Sequence, residues 1–181
     1  MSRPSQATLR GAERSLRALL AHPVVAALAD LPAEREAMLV GGALRDLLLG
    51  RALRDVDAVV DGDGEEAASA IGERLGARAF RLGGDRFAAY RIDLGSMRLD
   101  LWDRAPMSVD EDLRRRDLTV NSIGFRLSDG RVLDPFDGLG DLGRRLLRAT
   151  TEGAFRADPL RVIRLARLGG ELADFEVDEA T

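Results

Sequence analysis

The sequence predicts an α+β fold with a mixed, largely antiparallel sheet flanked by helices, and three observations predict it. Short strand-like runs and helical periods interleave without the regular strand–helix–strand alternation of a doubly wound sheet. Two pairs of strand-like runs flank turn residues, Gly95-Ser96 and Asp129-Gly130, as antiparallel hairpins do. A short apolar strand, "MLV", runs into Gly41-Gly42, then a helix, then the valine-rich strand "DVDAVV".

The elements follow in order. Residues 1–6 are polar and read as disordered, and residues 7–29 as one or two helices broken near His22-Pro23. A strand over 37–41 leads to a helix over Ala43–Leu49, ended by Gly50. Residues 55–60 form a strand. The helix over 64–75 has Glu65 and Glu66 in its first turn and Gly76 just past its end. "ARAFRL" (77–82) is a strand, and "RFAAYRID" (86–93) with "SMRLDLWD" (96–103) form a hairpin. Ser108 and Glu111 make a capping box for a helix that reaches the arginines at 114–116. "VNSIGFRL" (120–127) and "RVLDPF" (131–136) make a second hairpin, and "LGDLGRRLL" (139–147) a short helix. "DPLRVIRLARL" (158–168) is a helix with Asp158 as N-cap and Pro159 at its first position.

With 181 residues, 45% of them hydrophobic, the chain is long enough for one cored domain, or one domain and the start of another. There is no cysteine, which excludes disulfides, thiolate metal sites and a cysteine nucleophile. No apolar run approaches the roughly 18 residues of a membrane span. The N-terminus is too charged for a signal peptide, so the expectation is a soluble cytoplasmic protein with no membrane partner. The net charge is -4, against a generally basic nucleic-acid binder, yet all 27 basic residues are arginine. They cluster at 114–116, 144–148 and 156–167. Genomic base composition accounts for an arginine bias as such, whereas clustering suits a phosphate-bearing ligand, since the guanidinium fork matches phosphate oxygens.

Aspartates inside a strand need a reason. Asp55 and Asp57 share one face, because residues i and i+2 of a strand do, while Val56 and Ala58 face the core. Carboxylates so close repel unless a cation or an arginine lies between them. Hard oxygen ligands of this kind suit Mg²⁺, and a salt bridge to Arg54 on an exposed face is the other reading. Asp100, between Leu99 and Leu101, alternates in the same way. If its strand lies beside 55–60, three carboxylates converge in an arrangement suited to two-metal phosphoryl transfer. Otherwise Asp100 pairs with Arg98 or Arg104, and Asp93 is a weaker rival for the third place. Gly41 and Gly42 permit close backbone approach to a phosphate at a helix start, with Arg45 near it or in a salt bridge to Asp46. His22, the single histidine, has no partner for catalysis, and Trp102 reads as packing at the sheet edge.

These segments together resemble a family. "LVGGALRDLLLGRALRDVDAVVDGD" looks like the signature of the class II nucleotidyltransferases, which comprise the CCA-adding tRNA nucleotidyltransferases and bacterial poly(A) polymerases. "EDLRRRDLTVNSIGF" resembles the family's R-R-D motif, "VLDPFDGLGDLGRRLLRAT" the segment after it, and "RADPLRVIRLARL" its E-D-x-x-R motif. The four match in family order over about residues 37–181. The resemblance implies a nucleotidyltransferase head over 1–150 and the start of a helical neck over 151–181. It implies two Mg²⁺ ions on Asp55, Asp57 and Asp100, and a triphosphate at Gly41, Gly42 and Arg45. It puts Arg116 and Asp117 at phosphate and the ribose 2′-hydroxyl, with Asn121 beside them. Asp158 and Arg161 would read the base edges of CTP and ATP. Arg164 and Arg167 follow Arg161 at i+3 and i+6 on roughly one helical face, which reads either as a place near phosphate or tRNA backbone or as a solvated face. The acceptor would be the 3′ end of tRNA. The family's motif glutamate is Ala157 here, and the segment from Asp100 to Arg114 is shorter than in CCA-adding members, which favours CC addition. Poly(A) synthesis from ATP, or a nucleotide- or RNA-binding module without activity of its own, are the alternatives.

Overall fold

A computed structural model describes residues 4–84, 88–104 and 106–181. Its main sheet has seven strands in the order β3-β4-β5-β2-β1-β6-β7. The strands are β1 (Ala37–Val40), β2 (Asp55–Val60), β3 (Ala79–Leu82), β4 (Ala89–Asp93), β5 (Arg98–Asp103), β6 (Gly124–Arg126) and β7 (Val132–Leu133). Only β2 and β5 pair in parallel; the other pairings of this sheet are antiparallel. The mixed, largely antiparallel α+β arrangement expected from the sequence is the one observed.

The helices are α1 (Gln6–Arg17), α2 (Pro23–Ala29), α3 (Gly42–Leu48), α4 (Gly64–Leu75), α5 (Val109–Arg114), α6 (Gly138–Arg144), α7 (Ala154–Ala157) and α8 (Leu160–Glu171). Local chemistry sets several of their ends. His22 Nδ1 accepts the Val24 N–H at 3.3 Å and caps α2, a structural duty that fits a lone histidine. Asp63 accepts the N–H groups of Glu65 and Glu66 to start α4, and Gly76, at φ 66°, ends it. The capping box of Ser108 and Glu111 is formed as read. Asp158 accepts the Leu160 N–H at 3.0 Å, so it caps α8 although the regular helix begins at Leu160.

Four readings need correction. Ser5 caps α1 and Gln6 belongs to it, so the disordered start does not reach residue 6; residues 1–3 lie outside the described residues, as do 86–87 of the first hairpin. Residues 119–121 form a 3₁₀ turn, leaving only 124–126 for the strand. The helix read as 139–147 stops at Arg144, because Arg145 turns left-handed at φ 58°. Leu146–Leu147 then forms β8, which pairs in parallel with β9 (Glu176–Val177), a strand the sequence did not announce. Trp102 is not at an edge: β5 is interior, and Trp102 packs with Val59, Met38, Val40, Leu113 and Phe136.

The two faces of the sheet differ. Val56, Ala58 and Val60 of β2, with Leu99 and Leu101 of β5, enter the large core beneath helices α1, α2 and α4. Val59 and Trp102 face the other side, where α5 and Phe136 cover them. The rungs beyond carry Asp57 level with Asp100 and Asp55 level with Arg98, with no apolar side chain among these four. That polar end of the sheet is the floor of a cleft.

Candidate active site

The cleft has a volume of about 1280 Å³, and all thirteen residues singled out from the sequence line it. The sheet sets its floor. Asp57 and Asp100 stand on the same rung of parallel β2 and β5, with Asp55 one rung further, so the three carboxylates share one face. As the structure places them, two are held by arginines. Arg91 grips Asp100 through Nε and Nη2, each at 2.7 Å. Arg98 Nε donates to Asp55 at 2.8 Å. The partner of Asp100 is therefore neither Arg98 nor Arg104, and that of Asp55 is not Arg54. Asp93 accepts the Gly95 N–H at 2.9 Å in the hairpin turn and does not line the cleft.

Asp57, like Asp100, is half-buried, whereas Asp55 is exposed. Burial pushes the Asp57 carboxyl up to about 6, aided by Asp100 and Asp55 and opposed by Arg116 and Arg45. The chain beside it can approach because residue 41 has no side chain. Gly41 has φ 77°, and a Cβ there would lie 2.9 Å from Asp57 Oδ2 and 3.4 Å from Arg116 Nη1. Gly42 is packed just as closely, with a Cβ position 3.1 Å from Arg45 Nη2.

The R-R-D segment forms one wall. Asp112, fully buried, accepts Arg116 Nη2 at 2.8 Å and Arg115 Nε at 3.0 Å. This holds Arg116 against Gly41, with its buried Nε lacking a hydrogen bond among the described residues. The carbonyl of Arg115 accepts Arg161 Nη2, and that of Ala154 accepts Arg161 Nη1 at 2.9 Å. Arg161 Nε lies 3.7 Å, and Arg164 Nη2 3.8 Å, from Asp158 Oδ2, so Asp158, Arg161 and Arg164 are one group on the far wall. Arg167 is exposed at the rim, 3.8 Å from Glu171. Arg45, read as a phosphate ligand, is buried behind the glycines. Asp46 takes its Nε and Nη2 at 2.9 Å each, and Asn121 Oδ1 takes its Nη1 at 2.6 Å.

Arg91 and Asp112 are the site residues that the sequence reading missed. A turn centred on Gly95-Ser96 puts residue 91 opposite residue 100, so the hairpin register itself pointed to Arg91. Asp112 lies three and four residues before Arg115 and Arg116 in a helix read to reach the arginines, so helical spacing was the signal that could have found it.

Carboxylates on a strand beside a glycine turn, opposite an arginine-lined wall, define a nucleotidyltransferase-type cleft, and comparison with known proteins agrees. Residues 37–148 match the poly A polymerase head domain, so the chain belongs to that family. The CC-adding tRNA nucleotidyltransferase of Geobacter sulfurreducens is 39% identical over 148 residues, covering 80% of this chain and 34% of that protein. The CCA-adding enzyme of Coxiella burnetii is 35% identical over 159 residues, covering 79% of this chain and 40% of that protein. Among solved structures, the Thermotoga maritima CCA-adding enzyme complexed with tRNA aligns with a TM-score of 0.76 and 27% identity over 94% of this chain and 42% of that one. A tRNA-processing enzyme with CTP aligns at TM-score 0.71 and 34% identity over 81% of this chain and 41% of that one. The chain thus spans a little over a third of the length of the curated relatives it matches.

Proposed function

We propose that this chain is the catalytic head of a tRNA nucleotidyltransferase, which joins CMP, and AMP in a CCA-adding version, to an RNA 3′-hydroxyl and releases pyrophosphate. One observation carries the reading: Asp55, Asp57 and Asp100 share a sheet face at the floor of the cleft that Asp158 and Arg161 line from the far wall.

The donor set fits Mg²⁺ in its chemistry. It is three hard oxygen ligands, and burial, aided by Asp100 and Asp55, disfavours the charged form of Asp57, which a bound cation would offset. Among the described residues, no three acidic side chains are gathered into a ready-made cage, since Arg91 and Arg98 occupy two of them. Asp55, Asp57 and Asp100 would hold the ions in exchange for those arginines. Bound there, Mg²⁺ supplies neutralisation of the phosphates and a lower pKa for the attacking hydroxyl. The chain does the rest. Gly41 and Gly42 let the triphosphate approach the backbone, and Arg116, anchored by Asp112, meets it with a charge of opposite sign. Asp117 receives the ribose. Asp158 accepts from the amino group of cytosine or adenine, and Arg161 donates to ring acceptors. Uracil and guanine present the opposite pattern and leave buried groups unpaired. Arg164 and Arg167 extend the basic wall toward phosphate or RNA backbone. The tRNA 3′ end is the acceptor, and the cytoplasm the compartment.

Only residues 104–108 join β5 to α5, and this short connection favours CC addition. Primer extension by the full gene product tests the proposal, with Mg²⁺, single nucleotides, and tRNAs ending before CCA, after C and after CC. CTP incorporation that stops at CC is expected. Continuation with ATP makes it a CCA enzyme, ATP addition to any RNA makes it a poly(A) polymerase, and no addition by folded protein refutes the reading. Asp55→Ala or Asp57→Ala should abolish transfer with an unchanged circular dichroism spectrum, and full activity in either refutes the metal assignment.

A further inference from the structure

The cleft contains a polar chain whose outermost member no nucleotide role explains. Asp46, on α3, binds Arg45 through both carboxylate oxygens at 2.9 Å. Arg45 Nη1 donates to Asn121 Oδ1 at 2.6 Å, and Asn121 Nδ2 donates to Asp117 Oδ1 at 3.0 Å. The Leu118 N–H also donates to Asp117 Oδ1, at 2.8 Å. Each link orients the next. A guanidinium held by a carboxylate fork is planar and fixed. It settles which end of the Asn121 amide is oxygen, and so presents the amide N–H₂ to Asp117. With two donors on Oδ1, the Asp117 carboxylate is fixed in plane, and its Oδ2 accepts no hydrogen bond from the described residues. A free carboxylate oxygen in this cleft suits a hydroxyl donor and repels a phosphate.

The far end of the chain is equally rigid. Asn121 lies in the 3₁₀ turn 119–121, which is tied down by buried groups. Thr119 Oγ1 donates to Asp141 Oδ2 at 2.6 Å, and the Thr119 N–H to the Arg148 carbonyl at 2.9 Å. Ser122 Oγ donates to the Leu118 carbonyl at 2.9 Å. Movement of Asn121 is therefore opposed from both sides.

We propose that Asp46 is a positioning residue for sugar selection: through Arg45 and Asn121 it holds the Asp117 carboxylate where it receives a ribose 2′-hydroxyl, so that the site takes ribonucleotides over 2′-deoxyribonucleotides. This rests on the nucleotide-binding reading above. It moves Arg45 from phosphate ligand to connecting link, in keeping with its burial at 7% exposure. A relay acts on what it orients, so cutting it weakens the contact with the 2′-hydroxyl and leaves the base and phosphate contacts in place.

The test is calorimetric titration of the protein with CTP and with 2′-deoxy-CTP, in Mg²⁺ and without RNA. The wild type should bind CTP more tightly. Asp46→Asn, which removes one oxygen of the fork, should reduce the CTP to deoxy-CTP affinity ratio by roughly tenfold, the usual scale for loss of an outer positioning group. Deoxy-CTP affinity should stay close to the wild-type value. Arg45→Lys and Asn121→Ala cut the same chain at other links and should shift the same ratio, so a single variant that fails to fold does not decide the outcome. A ratio unchanged in the folded variants, or equal losses for both nucleotides, overturns the relay. Wild-type protein that binds both nucleotides equally also overturns it and leaves the nucleotide site standing. Wild-type protein that binds neither refutes the underlying reading and the relay with it.

Discussion

Gly41 is under two constraints at once. At φ 77° and ψ −153° its backbone lies in a region that essentially only glycine occupies, and a Cβ would meet Asp57 Oδ2 at 2.9 Å. The conformation and the contact have the same origin, since the chain must turn sharply in order to pass beside the carboxylate. Gly41→Ala should therefore lower stability by about 1–3 kcal/mol and displace Asp57. The expected outcome is a reduced melting temperature together with a loss of primer extension far larger than the stability change explains. A substitution at Gly153, where a Cβ meets nothing within 4 Å, is the matched control. At this scale the sequence was informative: "GG" before "DVD" pointed to a turn beside two acids. It could not show that Arg98 holds Asp55, because that pair is set by the register of β2 against β5.

At the scale of elements, the start of α6 carries a charge that the fold makes uncomfortable. Asp134 accepts the N–H groups of Gly138 and Leu139 at 2.7 and 2.9 Å. Burial nevertheless pushes its carboxyl up to about 6, reinforced by Asp137 and Asp141 and opposed by those two N–H groups. The folded state thus binds this proton more tightly than the unfolded chain, where the value is near 3.8. The contribution of Asp134 to stability is full below about pH 4, is lost as the pH rises to about 6, and is constant above that. Urea unfolding of wild type and Asp134→Asn across pH 4–7.5 should show the wild-type advantage largest near pH 4. It should shrink by roughly 3 kcal/mol toward neutral pH. A difference independent of pH would mean that the N–H groups, not burial, govern this carboxyl. Helix α6 also shows why its end was misread. "GRRLL" has an uninterrupted helical composition, yet Arg145 adopts the left-handed conformation so that Leu147 can enter the core.

At the scale of the whole molecule, the C-terminal segment is not a loose appendage to the sheet domain. Leu168, Leu172 and Phe175 belong to the same core cluster as Phe125, Ile123 and Leu118. Strand β9 pairs with β8, and Arg51 Nη2 donates to the Glu171 carbonyl at 3.0 Å. Burial of three such side chains stabilises by roughly 5–8 kcal/mol, comparable with the whole stability of an ordinary domain. A chain cut after Thr150 should therefore not fold stably, which circular dichroism and urea titration would show as a lost or broadened transition. A cooperative transition close to that of the full chain would mean that 1–150 is a self-sufficient domain. The cut also removes Asp158 and Arg161, so one segment contributes both to the core and to a wall of the cleft.

The sequence by itself determined the strands and helices with strong local signals. The glycine turn, the D-x-D strand, the capped helices α4 and α5 and the tight hairpin all follow from neighbours within a few residues. The acids inside strands, the glycines before a helix and the resemblance of the motifs singled out thirteen residues, and all of them line the cleft. Only the tertiary structure decided that Arg98 holds Asp55 and that Arg45 lies behind the glycines. It alone decided that β8 pairs with β9, 30 residues along the chain. The physical reason is range: caps, turns and alternation are local, whereas pairings across strands and walls depend on register and packing that no short stretch of sequence contains.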